Sequence, residues 1–118
     1  MNDPIIDVPE LLERVQDDKE LMLELFDIFM EDFPGKRQQL GEAIKEKNFE
    51  NIRGVAHSVK GASGNISAKL VREVCMKLEM MGKNNTLDGA EAVLVQLDEE
   101  YAKLTEQMQL VRKEYGPA

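Results

Sequence analysis

Tryptophan is absent from this chain, cysteine and histidine occur once each, and aromatic residues make up only 5%. The single Cys75 cannot close an intrachain disulfide, so nothing in the sequence asks for an oxidising compartment. The shortage of aromatic and β-branched residues, against plentiful Leu, Met, Glu, Lys and Ala, argues for helix and against sheet. Basic charge is short as well: 15 Lys and Arg stand against 23 Asp and Glu, for a formal net charge of −8. Binding to a nucleic-acid backbone needs a surplus of Lys and Arg on one face, and an anionic membrane asks for the same, so neither is an expected partner. No apolar run approaches the roughly 18 residues of a membrane span. The opening MNDPIIDVPE has neither the basic nor the apolar segment of a signal peptide. A cytoplasmic location is the resulting expectation.

What is present is the pattern of a helical bundle. At 118 residues, 42% hydrophobic and 32% charged, the chain has room for one domain and one core, residues 1–118, with no repeat or linker. Pro9 opens a short helix of about 9–16 with Leu11, Leu12 and Val15 on its apolar side. Asp17 or Asp18 caps the next helix, where Met22, Leu25, Phe26, Phe29 and Phe33 follow the helical period. Pro34-Gly35 interrupts it, and Leu40, Ala43 and Ile44 resume it, which predicts a kinked pair over 18–47. Asn48 caps a helix of about 49–65 bearing Ile52, Val55, Val59 and Ile66. Ser67 is read as the cap of a helix over 68–82 carrying Leu70, Val71, Val74, Leu78 and Met81, with Gly82 ending it. Asn84-Asn85 turns the chain. Asp88 is read as the cap of a last helix, whose Ala90, Val93, Leu94, Leu97, Tyr101, Leu104, Met108 and Val111 repeat like a heptad until Gly116-Pro117. The expected fold is all-α: an antiparallel up-down four-helix bundle with a short extra N-terminal helix and a kinked second helix.

Only the helix around His57 holds residues a plain bundle would not need. At about 100° per residue, His57 falls nearly opposite Ile52, Val55, Val59 and Ile66. Gly54, Gly61 and Gly64 share its outer face, with Lys60 and Arg53 along one edge. Each glycine inside a helix costs roughly 1 kcal/mol relative to alanine, and a solvent face gains nothing in return. Clearing side chains from around an imidazole does open it to a large partner. A neutral imidazole, with an ordinary pKa near ~6.5, presents a nucleophilic nitrogen at neutral pH. Lys60, one turn on, can offset the charge of a phosphoryl group, and Gly61 leaves the space beside the ring empty. Against this stands the reading in which a lone exposed histidine is a bystander, which the three glycines on the same face weaken.

The segment His57-Ser58-Val59-Lys60-Gly61-Ala62-Ser63-Gly64-Asn65-Ile66 resembles the signature of histidine-containing phosphotransfer (HPt) domains, with Lys three, Gly four and an aliphatic residue nine positions after the His. The resemblance runs on through Ser67-Ala68-Lys69-Leu70 to Leu78-Glu79-Met80-Met81-Gly82, and back to the Leu- and Phe-rich segment from Leu21 to Phe33. It covers about residues 8–112. It implies a phosphocarrier without nucleotide binding or kinase activity, whose histidine takes a phosphoryl group from the aspartyl phosphate of one receiver domain and yields it to another. It needs no cofactor of its own, since the receiver supplies the magnesium ion. His57 would be the acceptor, Lys60 the charge partner and Gly61 the clearance position. Leu12, Ser58, Gly64 and Lys83 would help form the partner surface, with Leu12 taken as exposed. Receiver domains, free or within a hybrid sensor kinase, are the implied partners, and a monomer is the expected state. Ser67 departs from the many members that have Gly after the aliphatic residue.

Other readings compete. A ferritin-like metal bundle needs Glu three residues before a histidine, and Gly54 stands there; one His and one Cys also supply zinc poorly. Cys75 lies on the apolar side of its helix and reads as packing. Met76, Met80 and Met81 read as fillers of core gaps, and Glu99-Glu100 as solvated surface. A structural scaffold would leave the glycines as losses without return. The histidine-bearing domain of a chemotaxis-type kinase is the remaining alternative, distinguished by its donor, a kinase domain with ATP.

Overall fold

Asp18 and Asn48 both act as the helix caps their positions imply in the computed structural model, which describes residues 5–116. The Asp18 carboxylate accepts the Leu21 amide at 3.0 Å and the Asn48 side chain accepts the Asn51 amide at 3.1 Å, each satisfying a donor that has no partner within the helix. Asp7 does the same for Glu10 at 3.1 Å. These caps open α1 (Val8–Arg14), α2 (Lys19–Lys45) and α3 (Phe49–Asn65), which are followed by α4 (Lys69–Lys83) and α5 (Ala90–Tyr115). The fold is all-α, with four long helices in a bundle and short α1 at one end.

Pro34 does not divide α2 into two helices; one helix of 27 residues runs through it. Pro34 is exposed, and buried Phe29 and Phe33 before it and Leu40 after it hold the helix to the core on both sides. Phe33 stacks on Tyr101 of α5 at 3.9 Å between ring centroids and on Phe29 at 5.7 Å, so three of the six aromatic residues meet at one α2–α5 contact. Apart from Phe26, the rest of the core is mainly aliphatic and follows the expected stripes: Ile52, Ala56 and Val59 from α3, Val71, Val74, Cys75 and Leu78 from α4, Leu94, Leu97, Leu104, Met108 and Val111 from α5. Leu12 packs half-buried against this core, so it is not the exposed residue expected.

Two expected caps fall elsewhere. α4 is capped by Ala68 without a side-chain bond, because Ser67 takes a left-handed conformation (φ +54°) and turns its hydroxyl to Glu10, to which it donates at 3.0 Å. α5 starts from Gly89, also left-handed at φ +78°, and Asp88 does not cap it. Gly82 does not end α4, which continues to Lys83; it is buried against the backbone of α3. Gly116 caps α5 and Pro117 lies outside the described residues. The Glu99-Glu100 pair is divided: Glu99 is exposed, whereas Glu100 is largely covered and its Oε2 has no hydrogen-bond partner. Among the described residues no helix is long and apolar enough to cross a membrane.

Candidate functional site

α3 and α4 are the most intimately packed pair of helices, and the reason is Gly82. A β-carbon there would stand 2.6 Å from the Arg53 nitrogen and 2.8 Å from the Phe49 carbonyl oxygen. Their close approach sets Glu79, one turn before Gly82, beside the outer face of α3. The Glu79 carboxylate then meets two α3 residues at once. Its Oε2 lies 2.5 Å from His57 Nδ1, and its Oε1 accepts from Lys60 Nζ at 2.7 Å. The carboxylate is the most sheltered of the three: its side chain is 16% exposed, against 21% for Lys60 and 69% for His57.

The Lys60 hydrogen bond holds the Glu79 carboxyl below its ordinary range, and the His57 contact works in the same direction, both against partial burial. An ionised carboxylate can only accept, so the proton of the contact belongs to His57 Nδ1. That assigns the tautomer: in the neutral ring the lone pair is on Nε2, for which no hydrogen-bond partner exists among the described residues. The imidazole is thus tethered on one side and open on the other.

Around the ring the helix is bare. A β-carbon at Gly54 or at Gly61 would meet nothing within 4 Å, so neither glycine is required by the packing of this chain. Gly64 is not required either: a β-carbon there would make ordinary contact with the Arg72 side chain at 3.6 Å. Two shallow depressions flank the site. One, of about 500 Å³, is lined by His57, Lys60 and Glu79 with Gly54, Arg53, Met80 and Lys83. The other, of about 480 Å³, shares Lys60 and runs past Gly61 and Gly64 to Arg14, Lys69 and Arg72.

The structure therefore brings His57, Lys60 and Lys83 together in one depression and puts Gly61 and Gly64 in its neighbour. Ser58 is exposed but lines neither, and Leu12 lines neither. The residue that sequence reasoning missed is Glu79. A signal was there: Glu79 falls in register with Cys75, Leu78 and Gly82, a charge inside the apolar stripe of its helix. Met76 and Met80 are exposed, not core fillers, and Met80 forms an apolar wall of the His57 depression. Cys75 is packing: it is fully buried, and burial, with the nearby Glu79 charge second, pushes its thiol up to about 12. No group of three or more His, Cys, Asp or Glu that could hold a metal occurs among the described residues.

The Hpt domain family matches residues 24–107, a span that includes the whole of α3 and α4. The chain belongs to that family. Among solved structures, the HPt fold is matched by histidine-containing phosphotransfer protein B (HptB) from Pseudomonas aeruginosa PAO1, with a TM-score of 0.87 and 26% identity over 97% of this chain and 99% of that one. A histidine-containing phosphotransfer protein from Medicago truncatula shares the fold with a TM-score of 0.75 at 24% identity, over 97% and 85% of the two chains. No curated protein matches the chain in sequence. This is a phosphotransfer domain of the HPt type, with the bundle that family uses.

Proposed function

We propose that His57 is the phosphoryl carrier of a phosphorelay, accepting from the aspartyl phosphate of one receiver domain and donating to the aspartate of another. The observation that carries this is the tethered, exposed imidazole: Nδ1 held by Glu79 and Nε2 free on a helix face cleared by Gly54 and Gly61. In the forward step the Nε2 lone pair forms a bond to phosphorus while the bond from phosphorus to the aspartyl oxygen breaks, and the aspartate leaves as a carboxylate. The ring, still protonated at Nδ1, gains positive charge that Glu79 offsets. The return step reverses these bonds on a second receiver. Magnesium and the groups that activate the aspartyl phosphate belong to the receiver, and this chain contributes the nucleophile, its orientation and the positive charge of Lys60.

The test is to incubate the purified domain with phosphorylated receivers and follow label, comparing wild type with His57→Gln. Acid-labile, alkali-stable label on the wild type and none on the variant is the expected result. Labelling only by a kinase domain with ATP would reassign the chain to the chemotaxis-kinase type. No label from either source would return it to a scaffold.

A further inference from the structure

The charge on this molecule is not spread evenly. The two depressions that meet at Lys60 are lined by six of its fifteen basic residues, Arg14, Arg53, Lys60, Lys69, Arg72 and Lys83, and by only four of its twenty-three acidic ones. A chain of net charge −8 thus carries one face on which positive charge prevails. Part of that charge is neutralised locally: Lys60 pairs with Glu79, and Lys69 with Asp7 and Glu10. Arg53, Arg72 and Lys83 make no ion pair among the described residues.

The far depression is a built corner. α1 is fastened to the α3–α4 turn by the Asp7 amide donating to the Ser67 carbonyl at 3.1 Å, Ser67 Oγ donating to Glu10 at 3.0 Å, and Arg14 donating to the Gly64 carbonyl at 2.9 Å. The Arg72 side chain reaches across to Gly64 of α3, where a β-carbon would make ordinary contact with it at 3.6 Å. From Gly54 through His57 and Gly61 to Gly64 the outer face of α3 extends about 15 Å, at about 1.5 Å per residue, without a bulky side chain other than the imidazole. The corner is therefore continuous with the phosphoryl-accepting face.

We infer that the docking surface extends past His57 to this corner, and that it receives an acidic strip on the receiver partner, with Arg72 as its principal contact. The inference rests on the phosphorelay reading. The net charge of the molecule disfavours an acidic partner and this face favours one, so the corner both speeds encounter and fixes the direction of approach along α3.

The experiment measures the second-order rate of label transfer from a phosphorylated receiver at low and at about 0.5 M salt, where screening suppresses such steering. Three variants are compared with wild type: Arg72→Glu, Arg72→Lys and Lys45→Glu. Lys45 lines a separate depression with Gly41 and Ala90 and carries the same charge change. At low salt Arg72→Glu should slow transfer about tenfold, by loss of steering. Arg72→Lys and Lys45→Glu should stay within about twofold, and the difference should shrink at high salt. Helical circular dichroism and the melting temperature are read on every variant; a folded Arg72→Glu that matches Lys45→Glu, or a defect unchanged by salt, overturns the inference alone. A wild type that takes no label from any receiver overturns the phosphorelay reading and this inference with it.

Discussion

Gly82 of α4 faces Arg53 of α3 so closely that a β-carbon on Gly82 would fall 2.6 Å from the Arg53 nitrogen and 2.9 Å from its Cα. Backbone atoms cannot swing aside as the end of a side chain can, so any larger residue must push the two helices apart. Gly82→Ala should destabilise the protein by about 2–3 kcal/mol through overpacking. Gly61→Ala should do the opposite, adding about 0.5–1 kcal/mol of helix stability because its β-carbon meets open space. Urea unfolding of the two variants checks this, and equal effects at the two positions would refute it. On the docking reading, Gly61→Ala should nonetheless transfer phosphoryl groups more slowly than wild type.

Glu79 offers a separable test of orientation against charge. Glu79→Gln keeps the size of the side chain but lets the amide face His57 with either end, so the ring loses its fixed tautomer. On the phosphorelay reading, transfer through His57 should fall about ten- to a hundredfold, the range for losing a carboxylate that orients a metal-binding imidazole, while receiver affinity holds.

The same carboxylate has a stability signature. Its folded pKa is depressed, so its contribution is present above the ordinary value of 4.5 and disappears as pH falls through the lowered folded value. Asp7 and Glu10 are depressed in the same direction, the first mainly by the Glu10 amide and the second mainly by Lys69. Wild type should be more stable than Glu79→Gln at pH 6 to 7, at about neutral conditions, and the two should converge below pH 4.5. Unfolding midpoints across that range decide it, and a gap that persists in acid would mean the carboxylate's charge is not what stabilises.

Ser67 combines a strained backbone with a useful hydroxyl. Its left-handed φ of +54° favours glycine, while Oγ binds Glu10. Ser67→Ala keeps the strain and loses the bond, and should cost about 1 kcal/mol. Ser67→Gly loses the bond but relieves the strain, and should come out within about 0.5 kcal/mol of wild type. Thermal melting of the pair distinguishes these, with the alanine variant the less stable of the two.

Cys75 should be silent to chemistry in the folded state. Its thiol is fully buried and pushed up to about 12, so almost none is thiolate near neutrality. Alkylation at neutral pH should proceed only at the rate of unfolding and run to completion in denaturant.

Much of this fold could be read from residue order alone, and the failures share a cause. Asp18 and Asn48 were legible as caps because a cap is a local bargain between a side chain and amides three residues on. Ser67 and Asp88 carry the same local signal, yet the chain reaches both helices through left-handed residues, Ser67 itself and Gly89, whose conformation depends on how neighbouring helices meet. His57 and its glycines were visible as an arrangement on one helix face. Glu79 was not, because it is 22 residues from His57 and the pairing exists only once Gly82 lets α4 approach α3. Met80 was read as core for the same reason: which side of an amphipathic helix is left uncovered is decided by its partners.

The proposed carrier His57, the Glu79 carboxylate that holds its ring, Lys60 on the other oxygen of that carboxylate and the glycine that joins the two helices all lie within a single hairpin, from Phe49 to Lys83. In genetic terms this arrangement is one contiguous cassette. Recombination can exchange everything upstream or downstream of it without separating the chemical partners, provided the incoming helices cover Ile52, Val59, Val71 and Leu78. What α1 adds at the corner, Arg14 above all, can then change while the His57–Glu79–Lys60 arrangement is passed on whole.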